Sequence, residues 1–375
     1  MFQRSALRKR IGVAFAASAL LALAACGGSG DDADAKADGG EKTVTLRFSY
    51  FTSENNPIGQ TWKAWMEDVT ERSGGTIKFE QFWDGTLLTG DAVIDGLKDG
   101  RADIAQITPT FYAGKFPLTA VNELPFGTNN MGAIGAAMAN LVEDNEALAK
   151  EWSGQGLKPL SWVVGGPSGI VSNKEITTAA DFKGLKIRGM DRGSRALKTA
   201  GANVMAIAPN DLYSSMERGL LDATYGVQFG ALTSLKLQEV SKYAVDASTG
   251  AQTASALAMS EAGWNKLSDA QKKVIEEASA EIPTVYTQKN IEAEELACTE
   301  FKKAGVELSV MDAAEVAKLR EAGEASVVTE WEKEVKNAGQ DPAAFRAEYQ
   351  AAVEAAAADF PDGEVTGIAR CLSAK

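Results

Sequence analysis

Residues 97–104, LKDGRADI, and residues 216–223, MERGLLDA, carry one pattern twice. Each has a helix end, a glycine able to adopt φ > 0, two further residues, and an aspartate opening a strand. The first copy lies in a run that alternates strands and helices. Residues 43–51, TVTLRFSYF, are rich in β-branched and aromatic side chains and read as a strand. Pro57 can open a helix, in which Trp62, Trp65, Met66 and Val69 recur at helical spacing before Gly74-Gly75 ends it. That aromatic stripe reads as core rather than as a cofactor site. Residues 76–82 are a second strand, 91–98 a helix and 102–107 a third strand. Such a βαβαβ rhythm predicts parallel strands with helices on both faces.

The second copy lies in a second alternating block, residues 171–245. Between the blocks come a helix near 130–152, a strand at 157–164 and Gly165-Gly166. After the second block, TASALAM (residues 253–259) is an apolar strand and Ser268 starts a long helix. The last hundred residues read as helical and Ala/Glu/Lys-rich, punctuated by Pro342 and Pro361. One copy of the pattern in each block predicts two similar α/β lobes. The expected fold class is a two-lobed α/β architecture, each lobe a mixed sheet flanked by helices. Residues 43–165 plus about 251–292 form lobe I, 166–250 plus about 293–340 form lobe II, and 341–375 form a C-terminal helical tail. Ligands of such sheets bind beyond the carboxyl ends of the strands, so the cleft between the lobes is the expected site and hinge closure the expected motion.

Composition narrows the chemistry. The chain has 375 residues, 38 Lys+Arg, 51 Asp+Glu and no histidine. A net charge of −13 argues against nucleic acid or anionic lipid as the main partner. Without histidine there is no Ser-His-Asp or Cys-His catalysis and no His-ligated zinc. Gly166-Pro167-Ser168-Gly169 has the wrong spacing for a nucleophile elbow. Gly114-Lys115 lacks the glycine of a phosphate loop, with Pro109 in its place. No metal-ligand spacing occurs, and neither a cofactor nor an enzymatic activity is expected.

The N-terminus reads as an address. Arg4, Arg8, Lys9 and Arg10 precede an apolar run, residues 11–23, too short to span a bilayer comfortably. The run ends in Leu23-Ala24-Ala25-Cys26, which resembles the lipobox of bacterial lipoproteins. That resemblance implies removal of residues 1–25 and a lipid on Cys26. Residues 26–42 then form an acidic tether poor in apolar side chains. The expected location is extracytoplasmic, lipid-anchored to the cell membrane. In that setting Cys298 and Cys371 either pair, pinning the C-terminal tail to the body, or stay as two buried thiols.

Three stretches together resemble the solute receptors of tripartite ATP-independent periplasmic (TRAP) transporters, the dicarboxylate-receptor family. The first is residues 82–126, with a Gly/Leu-rich loop and a closing Leu124-Pro125-Phe126. The second, residues 180–188, is ADFKGLKIR; the third runs from Gly201 through Pro209, Tyr213 and Gly219 to Asp222. The resemblance covers roughly residues 43–340. It implies a periplasmic-binding-protein fold of type II, a small organic acid as ligand, and permease subunits in the membrane as partners. An exported sensory or adhesion lipoprotein on the same fold is the alternative.

The resemblance also implies that Arg188 holds the ligand carboxylate. A planar guanidinium presents two parallel donors and stays charged when buried. Pro167-Ser168-Gly169 stands where relatives carry a second arginine, which makes Ser168 a candidate contact. Gly226 stands where they often carry asparagine. Both departures argue against a simple C4-dicarboxylate or sialic acid, and Tyr225, Gln228 and Phe229 suggest a more aromatic, less charged wall. From lobe I, the strand ends point to Phe51, Trp83, Thr108 and Tyr112. Phe51 and Trp83 fit a core role equally well; Thr108 and Tyr112 flank Pro109 in a loop after a strand.

Overall fold

A computed structural model describes residues 42–112, 114–166, 169–250 and 253–373. Cys26 and the tether, like Ser168, lie outside the described residues. Two sheets carry the architecture. The first holds β1 (Val44–Ser49), β2 (Ile77–Phe82), β3 (Ile104–Ile107), β4 (Leu157–Val164) and β10 (Ala254–Ser260), in the order β2-β1-β3-β10-β4. The second holds β5 (Gly169–Ser172), β6 (Lys186–Arg188), β7 (Asn203–Met205), β8 (Ala223–Thr224), β9 (Tyr243–Asp246) and β11 (Glu307–Val310), ordered β11-β9-β5-β8-β6-β7.

Both sheets are mixed. β1 runs parallel to β2 and β3, with Val44 opposite Ile77 and Phe48 opposite Ile104, as the βαβαβ rhythm requires. β10 returns from the second sheet and lies antiparallel between β3 and β4. All its residues are buried, which is why TASALAM shows no polar alternation. In the second sheet β6 is parallel to β7 and β8, whereas β5 is antiparallel to β8 and β9.

The repeated pattern does the same work in both sheets. Gly100 and Gly219 take φ of +68° and +70°, each ending a short helix. Asp103 then donates its N–H to the carbonyl of Arg47 at 2.9 Å, and its Oδ2 accepts the N–H of the same residue at 2.9 Å. Asp222 repeats both bonds with Lys186, at 2.7 and 2.9 Å. Each aspartate thus locks its strand to a parallel neighbour, β1 in one sheet and β6 in the other.

Three expectations need correction. The helix expected over 130–152 is two, Met131–Asp144 and Glu146–Ser153, because Asn145 is extended and its side chain caps the second by accepting from Leu148 N–H at 2.9 Å. The helix opened by the Ser268/Gln271 capping box ends at Ala280, and Pro283 in the first turn starts another, Ile282–Lys303. The C-terminal hundred residues are not wholly helical, since β11 pairs in parallel with β9 at the sheet edge.

The core lies between each sheet and its helices. Trp62, Trp65, Trp152 and Trp331 are buried, and each indole N–H finds an acceptor: Gln106, Ser279, Thr119 and the Pro117 carbonyl, at 2.9 to 3.1 Å. The Trp62 and Trp65 stripe is therefore structural. Helix Ile282–Lys303 packs against Pro57–Arg72 and Met131–Asp144, and also against the turn Phe229–Ala231 and helix Gly367–Ser373. A disulfide joins Cys298 in this helix to Cys371, with the Cα atoms 5.4 Å apart. No helix among the described residues is long and apolar enough to cross a membrane.

Candidate functional site

A cavity of about 510 Å³ opens between the C-terminal ends of β1 and β3 on one side and of β6 and β8 on the other. This is where parallel strands leave unpaired backbone and where loops can face a ligand. Phe51, Thr108, Arg188 and Gln228 line it, four of the side chains picked out in sequence.

Arg188 ends β6 and is 4 % exposed. Its guanidinium is held by the loops that follow β7 and β8. Nε donates to the Ile207 carbonyl at 3.1 Å, and Nη1 donates to the carbonyls of Tyr225 and Gly226, both at 3.0 Å. Among the described residues Nη2 has only Met190 Sδ, at 3.1 Å, a weak acceptor. Burial pulls the Arg188 pKa down and nearby Asp191 opposes it; an arginine stays charged under such a shift. In this conformation Nη2 is the nitrogen with capacity for an incoming carboxylate oxygen. The bidentate pairing that the resemblance implies needs one carbonyl bond at Nη1 or Nε to be exchanged.

Gly226 has a reason to lack a side chain. Its φ is +81°, and a Cβ there would sit 3.0 Å from Arg188 Nη1 and 2.9 Å from Asp191 Oδ2. Asp191 is itself buried and pinned, its Oδ1 accepting from Ser194 N–H at 2.8 Å to cap helix Arg192–Thr199. Burial raises its pKa.

The other sequence candidates sit elsewhere. Tyr225 is fully buried; its hydroxyl bonds Thr249 Oγ1 at 3.0 Å, and only its carbonyl serves Arg188. Phe229 opens a 3₁₀ turn and packs on Phe301, ring centroids 5.3 Å apart, in the core below the second sheet. Trp83 packs on Phe48 and Tyr50, with centroids at 5.3 and 6.0 Å. Tyr112 turns away and donates to the Gly90 carbonyl at 2.7 Å, burial raising its pKa. None of these four side chains lines the cavity.

The cavity also has residues that sequence reading missed, among them Phe111, Gln106, Thr110 and Ser255. The 3₁₀ turn Pro109–Phe111 repeats every three residues, so Phe111 shares a face with Thr108 while Tyr112 does not. Pro109 at the turn's start was the available sign. Ser255 lies on β10, which long-range pairing with β3 and β4 brings to this site.

A hydroxyl-rich wall results. Gln106 Nε2 donates to Thr108 Oγ1 at 3.3 Å, and Thr108 Oγ1 meets Ser255 Oγ at 3.0 Å. Thr110 Oγ1 meets Thr253 Oγ1 at 3.1 Å and donates to Glu123 Oε1 at 2.7 Å. Glu123 is buried behind this wall, and desolvation pushes its pKa up to about 7. Among the described residues no group of three or more His, Cys, Asp or Glu is arranged to hold a metal ion.

Comparisons with known proteins agree with this architecture. Residues 48–334 match the family model DctP, described as bacterial extracellular solute-binding protein, family 7. The 2,3-diketo-L-gulonate-binding periplasmic protein of Escherichia coli is 28% identical over 202 residues, covering 53% of this chain and 61% of its own length. The C4-dicarboxylate-binding protein of Bacillus subtilis is 25% identical, covering 65% of this chain and 69% of that one. A TRAP solute-binding protein from Rhodoferax ferrireducens, solved with copurified benzoate, superposes with a TM-score of 0.75 at 25% identity, covering 85% of this chain and all of that one. With the family model spanning both sheets and the crevice between them, this chain belongs to the DctP family, family 7 of the bacterial extracellular solute-binding proteins, and is a receptor of the TRAP type rather than an enzyme.

Proposed function

We propose that the receptor captures an organic acid by placing its carboxylate on Arg188, closes its lobes over the acid, and hands it to permease subunits in the membrane. The observation that carries this reading is the buried Arg188 guanidinium at the strand ends, its Nη2 meeting only a thioether among the described residues. A carboxylate replacing Met190 Sδ gains a charge-assisted bond in a site of low dielectric, and closure strengthens it further by removing water. Closure is favoured by as much as the ligand prefers the closed state. Relatives named for a diketo sugar acid, a 2-oxoacid monocarboxylate and a C4-dicarboxylate support an acid as the ligand class. A lipid on Cys26 would hold the receptor at the outer membrane face, within reach of its permease.

The test is a thermal-shift screen of organic acids followed by calorimetry on Arg188→Ala. Removing one partner of a buried charged pair costs about 3–5 kcal/mol, so affinity should fall by a factor on the order of 10² to 10⁴. Near-normal affinity in the variant would sink the assignment.

A further inference from the structure

We infer that the acid is a monocarboxylate with an aromatic body, and that dicarboxylates are disfavoured; this rests on the Arg188 reading above. The charge inventory of the cavity carries the first half. Its lining includes one cation, Arg188, and two carboxylates, Asp84 and Asp191. The internal residues outside the described set, Ala113, Pro167, Ser168, Ala251 and Gln252, include no basic side chain. Among the described residues a second ligand carboxylate therefore has no further cation to meet in the lining. Opposite Arg188 it would reach the hydroxyl wall, whose Thr110 proton is already given to Glu123, a third carboxylate. A desolvated anion without a counter-charge is among the costliest groups to bury.

The apolar lining carries the second half. Phe51 and Phe111, both half-buried, meet edge to face with centroids 5.4 Å apart and both line the cavity. Gly90 makes room for them, since a Cβ there would lie 2.7 Å from the Phe111 ring and 3.4 Å from Phe51. Ile58, Val227 and Leu235 extend the apolar surface. An aromatic ring can join this pair in the same offset or edge geometry. With the carboxylate fixed at Arg188, the ring has a non-ionic place to go.

Calorimetry on the full-length chain tests this with phenylacetate, benzoate, hexanoate, succinate and phenylalanine. Phenylacetate or benzoate should bind at least 100-fold more tightly than succinate and at least tenfold more tightly than hexanoate or phenylalanine. In Phe111→Leu the preference for phenylacetate over hexanoate should fall at least fivefold; in Phe51→Leu, a second variant should the first fold poorly, it should fall similarly. Succinate or phenylalanine binding more tightly than either aromatic acid would overturn the inference. So would an aromatic preference unchanged in both variants. If succinate wins and Arg188→Ala abolishes its binding, the carboxylate reading stands and only this inference falls. If Arg188→Ala leaves binding of every acid intact, both fall.

Discussion

Gly226→Ala probes whether the main chain positions the arginine. The residue has φ of +81°, and a non-glycine in the left-handed region costs about 1–2 kcal/mol. Gly184 supplies a control: its φ is +74° and an added Cβ would find nothing within 4 Å. Gly184→Ala should lose only that backbone cost. At Gly226 the Cβ also arrives 3.0 Å from Arg188 Nη1 and 2.9 Å from Asp191 Oδ2. Asp191 cannot retreat freely, because its other oxygen caps helix Arg192–Thr199. Loss of such a cap costs about 1 kcal/mol. The guanidinium must then shift and stretch the 3.0 Å bond from Nη1 to the Gly226 carbonyl. A hydrogen bond to a charged group contributes roughly 1.5–3 kcal/mol, and losing about half of that in positioning lowers ligand affinity about tenfold. Denaturant titration gives the stability loss and calorimetry the affinity. The expected result is a stability loss in both variants, larger by about 1 kcal/mol in Gly226→Ala, with affinity falling only there. Unchanged affinity in Gly226→Ala would show that the close approach of this carbonyl does not position Arg188.

Two further outcomes follow from the rest of the molecule. The Cys298–Cys371 bridge spans 73 residues, so its reduction, or Cys371→Ser, should cost about 4 kcal/mol by loop-closure entropy; an unchanged melting temperature with reductant would contradict this. Burial pushes Glu294 up to about 7 from 4.5, so the native state holds a proton there that the unfolded chain releases. That stability is present in full below about pH 4.5 and is lost as pH rises through about 7, roughly 3 kcal/mol in all. Glu294→Gln should flatten this part of the pH–stability curve, and its side-chain carbonyl can keep the bond that Asn290 Nδ2 donates at 2.8 Å. A variant as pH-dependent as the parent would refute the assignment.

The acidic balance has little to do with the site. The chain carries −13 overall, while the lining of the cavity, among the described residues, includes one cation, Arg188. With no histidine in the chain, the proposed capture rests on an arginine that is charged at every physiological pH.

Local chemistry wrote the elements into the sequence. Pro57 at a helix start, Ser268 before another and the paired Gly-x-x-Asp turns act over a few residues, so they are legible without a structure. The two aspartates are the strongest case, since one local pattern closes the same bonds in both sheets. Arg188 could also be picked out, because it closes the segment that resembles the family. Which aromatic side chains line the cavity could not. Tyr225 and Phe229 sit one and three residues from Gly226, yet one is buried under the crevice and the other in the core. A single turn at φ +81° and a 3₁₀ step redirect them, and Ser255 arrives from a strand paired across more than a hundred residues. Sequence indicated two mixed sheets and the arginine that ends β6, because propensity, turns and caps are short-range patterns, whereas the order of strands, with β10 set between β3 and β4, depends on long-range pairing. Tertiary structure alone decided the lining, because a side chain's direction at a loop depends on long-range packing that no local pattern encodes.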